Sequence, residues 1–115
     1  MLFHRTTKSL FKRSDIELVL HEDYVRFGDA ETPNKQTKYM RNDVLCFVVN
    51  YDDIDVCIDT GRWRAALFAV NMFKTEKDLD EFVAAINTYW PTTKVFNQLE
   101  YQDYASKQRR VDLGK

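Results

Sequence analysis

Glycine and proline are scarce in this chain: three and two among 115 residues. That scarcity excludes low-complexity linkers, collagen-like repeats and a disordered chain. No three glycines lie near one another, so no loop can cradle a phosphate, and a P-loop nucleotide hydrolase is excluded. Two histidines, His4 and His21, fall in different segments, which leaves no zinc-ligand spacing. No apolar run approaches the roughly 20 residues needed to cross a bilayer as a helix. The start, "MLFHRTTKSLFKR", lacks the unbroken apolar core of a secretory leader. The formal net charge of -1 gives no bulk field toward nucleic acid, and no such partner is expected. Cofactor and metal signatures are missing as well. These absences point to a soluble, cytoplasmic protein.

What is present is an ordinary globular composition, 44% hydrophobic and 14% aromatic, enough for one core in one domain. "DIELVLHEDYVRFGD" alternates, with Ile16, Leu18 and Leu20 on one strand face. "HED" then turns into a second strand from Tyr24 that Gly28 ends. "DAETPNKQ" is a loop, and "TKYMRNDVLCFVVNY" carries the next extended stretch. Val44 to Val49 is apolar at every position and too short for a helix, which fits a strand covered on both faces.

"NYDD" turns the chain into "IDVCID", an alternating strand. Pairing Asn50 with Ile54 would put Cys46 and Val48 on the face of Val56 and Ile58, and Cys57 on the opposite face. The two cysteines would then be unable to bridge and would remain reduced. "DTGR" is a hairpin turn with Gly61 free to take positive φ. Residues 62–73, "RWRAALFAVNMF", fit either a helix or a strand by spacing. A turn at Gly61 needs a partner strand, and a start signal at Thr75 and Asp78 means that no helix is already under way. A strand is therefore expected there. From Glu76 to Trp90 the spacing of Leu79, Phe82, Val83, Ile86 and Trp90 is helical, acidic residues crowd the first turns, and Pro91 closes the element. Residues 1–95 read as one domain, and 96–115 as an extension that is a short helix or flexible.

Several groups invite a functional reading. Arg5, Lys8, Lys12 and Arg13 interleave with Leu2, Phe3, Leu10 and Phe11, with no acidic residue among them. Such a segment can engage acidic groups, or it can be a first strand or helix with a solvated basic side. Trp63 between Arg62 and Arg64 is either an interface anchor or a core residue with snorkelling arginines. Asp52, Asp53, Asp55 and Asp59 could hold a cation or serve as acid and base. Evenly alternating aspartates are more simply the wet side of a strand.

The stretch "YMRNDVLCFVVNYDDIDVCIDTGRWRAALFAVNMFKTEKDLDEFVAAINTYW" is a hairpin, a strand ending in "NMF" and a capped "TEKDLDEFVAAI" helix. It resembles the second half of bacterial pleckstrin-homology-like (PH-like) domains, and within them the C-terminal part of YcxB-like proteins. The resemblance implies an α+β fold, an antiparallel bent sheet or partly open barrel closed by a C-terminal amphipathic helix. It also implies ligand or partner binding without catalysis. The expectation is an intracellular binding or assembly module acting through a sheet edge and the basic-aromatic arm, with a protein partner or self-association into a homo-oligomer. Binding to an anionic membrane surface and a small carboxylate-dependent enzyme are the alternatives.

Overall fold

The computed structural model describes the backbone of residues 2–8, 13–61, 67–70 and 73–113, and side chains within 15–61 and 73–107. Eight strands and two α-helices are present among them, together with short 3-10 turns at Pro33–Lys35 and Arg41–Asp43. The protein is α+β. The strands make two open sheets rather than a closed barrel.

The first sheet is an antiparallel meander of β1 (Leu2–Lys8), β2 (Arg13–Leu20), β3 (Tyr24–Asp29) and β4 (Thr37–Met40), in that spatial order. Its inner face is built by alternation. Leu18 pairs with Phe27 and Leu20 with Val25, and Val25 in turn with Tyr39. Gly28 lies across from Glu17 with φ +148, a conformation that side-chain-bearing residues rarely adopt. A Cβ there would come within 3.0 Å of Gln36 Cγ, so the glycine also makes room for that side chain to cross the strand.

The stretch read as continuous from Thr37 onward is broken at Arg41–Asp43, and its two halves serve different sheets. In the second sheet the order is β7 (Leu67–Val70), β6 (Asp55–Asp59), β5 (Cys46–Asn50) and β8 (Lys94–Phe96). The first three strands are antiparallel, while β8 joins β5 in parallel. β7 lies inside the stretch expected to be extended; residues 62–66 and 71–72 are outside the described residues.

One expectation about this sheet needs correction. Asn50 pairs with Asp55, not with Ile54. Ile54 belongs to the turn and takes φ +50, which lengthens the connection by one residue. A slip of one residue exchanges faces, because side chains alternate with period two. Phe47, Val49, Val56 and Ile58 therefore share the face that joins the main core, and Cys46 and Val48 share the opposite face with Cys57. Both cysteines are free. They are diagonal neighbours across the β5–β6 pair, a separation of about 7–8 Å that does not suit a disulfide.

Helix α1 (Glu76–Tyr89) starts with a complete capping box. Asp78 N–H donates to Thr75 Oγ1, and Thr75 N–H donates to the Asp78 carboxylate. Leu79, Phe82, Ala85 and Ile86 are its buried stripe. They form one core with Leu18, Leu20 and Val25 of the first sheet and Phe47, Val49, Val56 and Ile58 of the second. Phe47 meets Phe82 edge to face at 5.6 Å. Trp90, fully buried at the helix end, donates its indole N–H to the His21 carbonyl at 2.7 Å and so ties α1 to the β2–β3 turn. Tyr51 Oη donates to Asp80 at 2.6 Å and ties the β5–β6 turn to the same helix. Helix α2 (Gln98–Leu113) follows β8 and lies over the other face of the second sheet.

Candidate binding surface and a buried carboxylate

The basic residues of the N-terminal segment divide along a hairpin. Arg5 is in β1 opposite Ile16, and Lys8 ends β1 opposite Arg13, the first residue of β2. The hairpin thus brings Lys8 and Arg13 to one end of the first sheet. Lys12, Arg62, Trp63 and Arg64 lie outside the described residues. β1 is the sheet's outer strand: it pairs with β2 over its whole length, and no strand pairs with its other edge among the described residues. Seven residues of backbone donors and acceptors alternate along that edge.

Behind the edge, the outer face of the sheet carries a satisfied polar network. Arg26 Nη1 donates to Glu17 Oε1 at 2.7 Å and to Gln36 Oε1 at 2.5 Å. Gln36 Nε2 donates to the same Glu17 oxygen at 2.8 Å and to the Asp29 carbonyl at 2.9 Å. The bond to Glu17 holds the Arg26 guanidinium even more firmly protonated than usual. On the same face His21 stacks on Tyr24 at 4.5 Å, and the Lys38 ammonium lies 4.2 Å over the Tyr24 ring.

The aspartates of "DDIDVCID" are not a common wet face. Asp59 is only 4% exposed. It accepts the Tyr101 hydroxyl at 2.8 Å and the Gly61 N–H at 2.8 Å. Asp55, Cys57 and Asp59 lie on the face of β6 opposite Val56 and Ile58, and α2 covers that face at Asp59. Asp53 instead accepts from Asn50 at 2.9 Å in the turn. Among the described residues no group of three or more His, Cys, Asp or Glu is placed to hold a metal ion.

Beneath α2, Tyr101 is buried with Cys46 and Val48, and Cys57, Phe96, Tyr104 and Ala105 pack around them. Burial, with the nearby Asp59 charge second, pushes the Cys46 thiol up to about 12. Burial also raises Cys57, with Asp55 adding to it. Tyr101 is raised by burial and then by its bond to Asp59, and Tyr104 is raised chiefly by burial. Both thiols are therefore poor nucleophiles in the folded state. Sequence reasoning missed the Asp59–Tyr101 pair. Its one signal was the aromatic pair Tyr101 and Tyr104, spaced three apart in an otherwise polar stretch.

No protein-family model, curated protein or solved structure matches this chain. Among the described residues, no helix is long and apolar enough to cross a membrane.

Proposed function

We propose that the chain is a non-catalytic binding module that accepts an extended, acidic segment of another protein along the open edge of β1. The observation that carries this reading is the seven-residue edge itself, paired on one side only among the described residues. Such an edge recognises a partner strand through main-chain hydrogen bonds. The charge of the hairpin selects the partner. The first acidic residue of the chain is Asp15, whereas Arg5, Lys8, Lys12 and Arg13 precede it. In a two-fold antiparallel pairing of β1 with itself about its central residue, Arg5 would face Arg5. Like charges directly opposite are destabilising, so a second copy is the poorer occupant. The order of a four-strand meander, a three-strand meander and the helix α1 supports the PH-like reading, and that resemblance implies binding rather than catalysis.

The test uses two short peptides of alternating sequence, one glutamate–threonine and one lysine–threonine, with hydrogen exchange at the β1 amides as the readout. The acidic peptide is expected to slow exchange at β1 saturably, and Arg5→Glu with Lys8→Glu is expected to weaken it tenfold or more. Equal effects of both peptides, or none, would overturn the proposal. So would a β1-dependent dimer in sedimentation, which names a second copy as occupant. Recovery on phosphatidylserine vesicles but not on neutral ones, with the peptides inert, would name a lipid surface instead.

A further inference from the structure

Among the described residues, the two hydrophobic clusters do not share α2. The main core joins both sheets and α1, and the described α2 side chains that are buried or packed, Tyr101, Tyr104 and Ala105, belong to the smaller cluster over Cys46 and Val48. β8 divides between them: Val95 packs against the main core and Phe96 faces Tyr104, with ring centroids 5.1 Å apart. Among the described residues, α2 holds the sheet through Tyr101, Tyr104 and Ala105. Among the described residues, the donors to the Asp59 carboxylate are neutral, a tyrosine hydroxyl and a backbone N–H. Asp55 Oδ1, on the face of β6 that carries Cys57 and Asp59, is buried without a hydrogen-bond partner among the described residues. A buried polar atom left unpaired opposes the closed state, because water would satisfy it in an open one.

We propose that α2 is a latch, fastened by the Tyr101–Asp59 bond, that opens while both sheets and α1 stay folded, and that this opening controls chemical access to Cys46. Local opening, below the cost of global unfolding, is the general expectation for an element whose described contacts lie outside the main core. In the closed state Cys46 is 1% exposed. In the open state its thiol loses the apolar cover of Tyr101 and Tyr104 and becomes available to small disulfides. The exchange balances simply: the Cys46 proton passes to solvent, the thiolate attacks one sulfur of the disulfide, a mixed disulfide forms, and the other half leaves as thiolate.

The experiment follows release of thionitrobenzoate from Ellman's disulfide by the full chain carrying Cys57→Ser, which leaves Cys46 as the sole thiol. Labelling is expected to be slow, to change little with low urea, and to accelerate tenfold or more on Tyr101→Phe while far-UV dichroism and tryptophan fluorescence stay native. Hydrogen exchange on the unsubstituted chain guards against a variant that misfolds: α2 amides are expected to exchange ahead of α1 amides. If Cys46 labelling and α1 exchange share one rate and one steep urea dependence, the thiol is reached only by global unfolding, and the latch is overturned.

Discussion

Asp59 and Tyr101 illustrate how a single bond can decide the state of an element. The carboxylate is out of water and depends on two donors, so deleting the tyrosine hydroxyl leaves it underbonded. Tyr101→Phe is expected to cost about 1.5–3 kcal/mol, the range for a hydrogen bond to a charged group, read as a lower urea midpoint for loss of the α2 signal. The pH dependence has a defined sign. Cys46, Cys57, Tyr101 and Tyr104 all have folded-state pKa values raised above their ordinary ones, chiefly by burial. Each opposes losing its proton in the folded state, so the stability linked to them is complete below the ordinary thiol value of 9.0 and declines as pH rises toward about 12. Urea midpoints compared at neutral pH and above 9.0 check this, and a midpoint that rises with pH would contradict it. Ile54 is the opposite kind of residue. Its φ of +50 strains a β-branched side chain, yet that side chain packs on the main core. Ile54→Gly exchanges about 1–2 kcal/mol of relieved backbone strain against lost burial of similar size, so a stability change within about 1 kcal/mol is expected in denaturation.

At the scale of elements, α1 is locally self-consistent and α2 is not. The capping box, the acidic first turn and the apolar stripe of α1 all specify the same helix in the same place. Thr75→Ala removes one half of the box and is expected to lower stability by about 1 kcal/mol in thermal or urea melts, while Thr75→Ser leaves it nearly unchanged. Phe82 belongs to the same stripe and meets Phe47 and Phe73. Phe82→Ala is expected to cost about 3–5 kcal/mol, enough to threaten the whole domain. The stretch that forms α2 has little apolar periodicity, and for that reason 96–115 could be read only as a short helix or a flexible tail. Its helix is held in place by the sheet beneath it, through Tyr101 and Tyr104.

At the scale of the molecule, Trp90 and Tyr51 fasten one helix to two different turns, one from each sheet. A common core under these ties predicts a single cooperative transition for both sheets and α1, with α2 leaving earlier. Tryptophan fluorescence and hydrogen exchange at α2 should therefore give separate midpoints in urea. The exposed edge of β1 belongs to this scale as well, because only the stacking order of the strands reveals that it lacks a neighbour among the described residues.

Alternation in "DIELVLHED" and "IDVCID", the positive φ of Gly61 and the cap at Thr75 depend on residues close in the chain, and the sequence alone determined them. So too did the α+β class, since a period-two pattern followed by a helical one admits little else. Three matters were decided only by tertiary structure. One extra residue in the Tyr51–Ile54 turn put Phe47 and Val49, not Cys46 and Val48, on the face of Val56 and Ile58, because alternation fixes which residues of a strand share a face but not how two strands align. Strand β8 found a parallel place beside β5, a pairing whose partners are distant in the chain. Asp59, solvent-facing by its local pattern, was buried by a helix about forty residues further on, and no short-range rule reaches that far.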